Sequence, residues 1–346
     1  MRPKPTNRMS VLAVIVAAIL SPSCVCGAQA TGDGSTAVSP QTFPLTDTRG
    51  LVEHGVKAGA VEYRGRKAVR LTAEGEDGFA FIKDLQFRDG TIEVDIATKT
   101  TTPPGVRMPG FTGVGFRVAP DASGFDLFYL RPGNASADDQ AMRNHSLQYS
   151  AAPGFGWERL RRQWPFVYES YADMQLDTWI PVKIEVHGRQ ARLFVNGSAN
   201  PNLVIDGLKS QGLEGGVGLW GYAGEESYFS NLRITPAKPE PVENGGEATG
   251  TWDVTFASDA GKYTGTMKVE RQNGLVAGTW SGAFGDQPLT GTWRDGYVEL
   301  TFNVTWPDPA GTALVRLAGW IDGDSANGRM KVEGHADGRW TAVRKK

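Results

Sequence analysis

Trp179-Ile-Pro-Val-Lys-Ile-Glu-Val-His-Gly-Arg-Gln-Ala-Arg-Leu-Phe-Val-Asn-Gly197 decides the fold. Val182, Ile184 and Val186 alternate with polar partners, His187-Gly188-Arg189-Gln190 reverses the chain, and Ala191, Leu193 and Val195 alternate again before Asn196-Gly197. A period of two closed by tight turns predicts consecutive antiparallel strands. Working outward, Gly216–Tyr222 and Tyr228–Ile234 continue the pattern, and Val69–Leu71, Phe79–Ile82, Gly90–Ala97, Gly113–Val118, Phe125–Leu130 and Ser146–Ser150 precede it. Almost no segment carries the 3.6-residue period of a helix, which predicts an all-β sandwich of many short strands. Phe125-Asp-Leu-Phe-Tyr-Leu130 is apolar on both faces, as a central strand is.

After Thr249 the pattern tightens into Gly250-Thr-Trp252, Gly265-Thr-Met267, Gly278-Thr-Trp280 and Gly291-Thr-Trp293, with Gly338-Arg-Trp340 at the end. The spacing suits strand-plus-turn units of a meander, and about eight such strands fit. Closure into an up-and-down barrel removes the edges that an open sheet exposes. Trp252, Val254 and Phe256 share one face, as do Val298, Leu300, Phe302 and Val304, and Met330 with Val332. The fold class read from sequence is therefore all-β, an antiparallel jelly-roll β-sandwich followed by a small up-and-down β-barrel. Its predicted segments are a signal peptide over 1–30, a flexible leader over 31–42, the sandwich over 43–236, a linker over 237–249 rich in Pro and Gly, and the barrel over 250–346.

Arg2, Lys4 and Arg8 followed by the apolar run Val11 to Leu20 and by Ala28-Gln29-Ala30 predict an export signal with a small-residue cleavage site. The run is too short for a transmembrane span, which takes roughly 20 residues. A lipid anchor at Cys24 is the competing expectation. Both cysteines, Cys24 and Cys26, lie in this segment, so a chain cleaved after Ala30 has neither disulfides nor thiol chemistry. Removal of three basic and no acidic residues moves the formal net charge from −2 to −5. That balance offers no electrostatic footprint for nucleic acid or anionic lipid.

The order Gly90-Thr-Ile-Glu-Val-Asp-Ile96, Gly113-Val-Gly-Phe-Arg117, Trp179 to Gly197, Gly215-Gly-Val-Gly-Leu-Trp220 and Phe229-Ser-Asn-Leu-Arg-Ile234 resembles the concanavalin A-like lectin/glucanase superfamily. Within it the likeness is to laminin G-like sandwiches and the bacterial 3-keto-disaccharide hydrolase family. The resemblance implies a jelly-roll that holds sugar on its concave face or rim loops, and it covers lectins, adhesion modules and hydrolases alike. Residues 250–344 are similar to small β-barrels appended to bacterial secreted enzymes. Calcium, which braces binding loops in this superfamily, would draw on Asp138 and Asp139, although two adjacent acids fall short of the oxygen set that the ion takes.

Glu93 and Asp95 project from one face of a strand at roughly 7 Å, a separation that serves glycoside hydrolysis. The retaining glucanases of the superfamily carry Glu-x-Asp-x-x-Glu, whereas the last position here is Thr98, so the acid/base is missing. The plainer expectation is a solvated face opposite Ile92, Val94 and Ile96. The segment Arg131 to Trp164 is dense in the groups that sugars need, flat aromatic faces and planar hydrogen-bonding heads. Arg117, Arg131, Arg143, Asn144, His145 and Gln148 are the predicted hydrogen-bonding residues, and Tyr149, Trp157 and Trp220 the predicted stacking surfaces. His145 is also a candidate base, for which Asp138 or Glu93 would have to converge on it. A loop covering a sheet edge, its aromatics buried, is the structural alternative. These residues predict an exported protein that binds or processes carbohydrate or extracellular glycan. The alternatives are a 3-keto-glycoside hydrolase and an adhesive module without a small ligand.

Overall fold

The structure, a computed structural model, describes residues 39–346 except 104, 106, 107, 242–244, 284, 308 and 309. The predicted signal, Cys24 and most of the leader lie outside the described residues. In chain order the first part runs β1 (Gln41–Phe43), β2 (Leu51–His54), β3 (Val56–Tyr63), β4 (Arg66–Ala73), β5 (Asp77–Ile82), β6 (Gly90–Thr100), β7 (Thr112–Val118) and β8 (Phe125–Leu130). Next come α1 (Pro132–Ala135), α2 (Gln140–Asn144), β9 (Leu147–Ala152), α3 (Trp157–Gln163), β10 (Glu169–Ser170), β11 (Ile180–His187), β12 (Gln190–Val195), β13 (Leu203–Asp206), β14 (Gly216–Tyr222) and β15 (Glu225–Pro236). Among the described residues these strands build two antiparallel sheets, β13-β12-β11-β6-β15-β4-β3 with β1 added to β15, and β10-β9-β8-β7-β14-β5-β2. No helix among the described residues is long and apolar enough to cross a membrane.

The deciding stretch folds as β11 and β12, with Val182 opposite Val195 and Ile184 opposite Leu193. On its other edge β11 pairs with β6, Ile184 with Ile92 and Val182 with Val94. All six side chains enter the core between the sheets, met by Val114, Phe116, Phe128, Leu130, Val217 and Leu219 from the facing sheet. Register is held because a one-residue slip would turn every one of these groups outward. Fully burying each such side chain contributes about 1.5–3 kcal/mol.

The barrel comprises β16 (Gly250–Ser258), β17 (Gly261–Gln272), β18 (Leu275–Gly282), β19 (Gly285–Arg294), β20 (Tyr297–Pro307), β21 (Ala310–Asp322), β22 (Ser325–Val332) and β23 (Ala336–Arg344). Each pairs with the next, and β16 with β23 closes the ring. The three runs predicted to share a face fill its interior. Trp280 stacks there between Phe256 at 4.9 Å and Phe302 at 5.4 Å. Tyr297, Ala318 and Trp320 of the barrel belong instead to the buried cluster of the sandwich. Ion pairs join the two parts at Arg159–Glu299, 2.6 Å, and Asp206–Arg339.

Candidate functional site

The seven-stranded sheet has a second apolar face, turned away from the core. Alternation along β8 sends Phe128 and Leu130 inward and Leu127 and Tyr129 outward, where they cluster with Phe79 of β5 and Trp220 of β14. Phe111, Phe125 and Tyr222 pack against this cluster. The rings lie low because glycines stand beneath them. A Cβ at Gly115 would meet Phe79 Cε1 at 2.6 Å, and one at Gly218 would meet Phe79 Cδ1 at 2.8 Å. Phe111 lies 4.7 Å from Tyr222, and Trp220 5.2 Å from Tyr129. Above this floor is a cleft of about 330 Å³ bounded by Glu76, Asp77, Phe111, Tyr129, Trp157, Trp220 and Tyr222.

Its wall is Trp157, the first residue of α3 and 40% exposed. Glu158 in the first turn and Arg161 and Arg162 in the last complement the dipole of this short helix, and Leu160 anchors it. One turn on, the Arg161 guanidinium stands 4.7 Å from the Trp157 ring, with Arg131 5.8 Å away. These cations orient the indole while leaving much of it in solvent. Arg131 is buried, donating to Tyr129 Oη at 2.8 Å and to the His145 carbonyl at 3.0 Å. Burial lowers its pKa. Behind it Glu169 accepts from Arg161 Nε and Nη2 and stands 2.8 Å from His145 Nδ1. Burial lowers the His145 pKa against the opposing pull of Glu169.

The polar rim is acidic. Asp77 Oδ2 accepts from Trp220 Nε1 at 3.0 Å, and burial holds its carboxyl above the usual range despite that bond. Tyr222 Oη donates to Glu76 at 3.3 Å. Aromatic floor, exposed indole and carboxylate rim are the groups that meet the C–H face and hydroxyls of a sugar ring.

Of the residues singled out from sequence, Trp157 and Trp220 line the cleft, and Arg131 and His145 stand behind its wall. The others stand elsewhere. Tyr149 is fully buried between the sheets, where its hydroxyl donates to Asp126, so it presents no stacking face. Arg117 is buried against Asp89 at 2.7 Å, an ion that also accepts from the Gly188 and Glu240 amides and so fastens the start of the linker. Gln148 is buried, its amide donating to the Tyr149 and Tyr168 carbonyls. Arg143 donates to the Ala137 and Asp138 carbonyls and to Gln140, while Asn144 accepts from Gln140. Asp139 caps α2 through the Ala141 amide, and among the described residues no cluster of three or more His, Cys, Asp or Glu is placed to hold a metal ion. Glu93 and Asp95 lie on the other sheet, in a groove of about 440 Å³, paired with Arg233 and Arg66 respectively. They do not converge on His145. Its acid is Glu169, which sequence reasoning missed because only the pairing of β10 with β9 brings it there.

No family model and no curated protein matches the chain. Among solved structures it is similar to the carbohydrate-binding module CBM66 from Bacillus subtilis, with 16% identity and a TM-score of 0.38 over 54% of this chain and 95% of that one. It is similar to a protein with a galectin-like fold from Bacillus subtilis, with 12% identity and a TM-score of 0.39 over 58% and 96%. A third likeness is to the GlcNAcα1-4Gal-releasing endo-β-galactosidase from Clostridium perfringens, with 8% identity and a TM-score of 0.33 over 92% and 100%.

Proposed function

We propose that the chain is an exported, lectin-like glycan-binding protein of concanavalin A-like type, and that sugar rings lie in the cleft on the outer face of the seven-stranded sheet. One observation carries the reading: a tryptophan, 40% exposed and with two arginines close to its ring, walls a trough floored with aromatic rings. Soluble proteins seldom leave such apolar surface in a concavity unless something fills it. Asp77 and Glu76 would accept from hydroxyls at the rim. The export signal read over 1–30 suits a protein that meets glycans outside the cytoplasm. Trp157→Ala, alone and with Tyr222→Ala, tests the site on a glycan array followed by calorimetry. The expected result is a loss of at least about tenfold in affinity, worth about 1.4 kcal/mol, with the circular-dichroism spectrum unchanged. Retention equal to the parent's in the double variant sinks the cleft.

A hydrolase is favoured by Asp77, whose raised pKa in an aromatic cleft suits a general acid. Release of reducing sugar from a bound glycan or from a 3-keto-glycoside, lost in Asp77→Asn while binding persists, is the outcome that this reading expects. Binding without release in the parent protein removes it.

A further inference from the structure

Between sandwich and barrel lies a cleft of about 520 Å³ lined by Phe155, Arg159, Lys209, Trp293, Tyr297 and Glu299, among others. Lys209 enters it from the connection between β13 and β14, which three bonds pin in place. The Leu208 carbonyl accepts from Trp320 Nε1 at 2.8 Å, the Lys209 amide donates to Tyr149 Oη at 2.7 Å, and Ser210 donates to Asp126. The buried Tyr149 thus serves to aim this lysine. Nζ stands 3.0 Å from Tyr297 Oη, with the Phe155, Tyr168 and Tyr297 rings 4.7–6.0 Å away. Glu299, the cleft's carboxylate, is occupied by Arg159, whose Nη2 reaches both its oxygens at 2.6 Å. An amine buried among rings without a carboxylate of its own weakens the fold, as an aliphatic side chain there would not.

We propose that this cleft is a second ligand site, in which the Lys209 amine captures the carbonyl carbon of a small aldehyde or ketone whose body lies against Phe155 and Trp293. Nζ forms the bond to carbon as the carbonyl π bond opens onto oxygen. The amine gives up two protons, the oxygen departs as water, and a C=N bond remains. Tyr297 lends a proton to the departing oxygen and regains one from nitrogen, so no oxidant or reductant takes part. The chemistry needs a neutral amine and a protonated phenol. Burial, with Arg159 and Arg329 adding to it against Glu299 and Asp126, lowers the Lys209 pKa to about 7. Burial raises that of Tyr297 well above its ordinary value, so the phenol keeps its proton.

The test is reductive trapping of the full chain with benzaldehyde and cyanoborohydride at pH 7, read by peptide mass mapping. Lys209 is expected to gain a benzyl group at least about ten times faster than the exposed Lys67 and Lys262. The labelling rate should climb towards a plateau just above pH 7. Tyr297→Phe should slow it while melting remains cooperative, and Lys209→Met should abolish it with the fold kept. Labelling of Lys209 no faster than of Lys67 and Lys262 overturns the proposal, and an undiminished rate in Tyr297→Phe overturns the part given to the phenol.

Discussion

Single side chains here have roles set by which face they occupy. Of the residue types read from sequence, the indoles of Trp157 and Trp220 line the cleft, and Arg131 and His145 stand behind its wall. Position within the layer was not legible there, and Tyr149, equal to Trp157 as a stacking candidate by composition, is sealed between the sheets. Glu225 shows how far burial alone alters a residue. It accepts from the Gly110 amide at 2.9 Å, and burial outweighs the Gly110 and Phe111 amides to raise its pKa from 4.5 to about 7. The folded state therefore holds a proton that the unfolded chain releases above about pH 4.5, and stability contributed below that value is lost as pH climbs to about 7. Glu225→Gln, which keeps the acceptor without the charge, should flatten this decline and gain about 1–3 kcal/mol at pH 8, followed by urea unfolding. Parallel pH curves for parent and variant would exclude Glu225 as the source.

At the scale of elements, β6 shows the alternating pattern at its clearest, with Ile92, Val94 and Ile96 inside and Glu93 and Asp95 outside, as their order along the strand implies. In β8 both faces are apolar, which marks a central strand but leaves unspecified which face meets the other sheet. The three short helices escaped the sequence pattern because α1, α2 and α3 span a turn or two and none repeats an apolar stripe. The floor of the cleft is a product of paired strands, since glycines in β7 and β14 make room for the Phe79 ring of β5. Gly115→Val should lift that ring, destabilise the protein by about 1–3 kcal/mol and weaken glycan binding in the same assay. Binding and stability both equal to the parent's would show that the ring does not depend on the glycine.

Across the whole molecule, sandwich and barrel share buried side chains. Trp320 of β21 joins the sandwich core and is capped by the Arg189 guanidinium at 3.4 Å. Trp320→Ala should cost about 3–5 kcal/mol and separate one calorimetric unfolding transition into two. A single transition with an unchanged midpoint would show that the indole does not couple them. The sequence by itself determined the strand content, the meander and its closure, because side-chain periodicity and turn chemistry are local. Only the tertiary structure decided which apolar face stays open as a cleft, which acid meets His145 and which lysine faces the barrel. Those outcomes depend on partners distant along the chain, and the removal of water that makes a tyrosine an anchor or lowers the pKa of a lysine begins only once sheets and barrel pack.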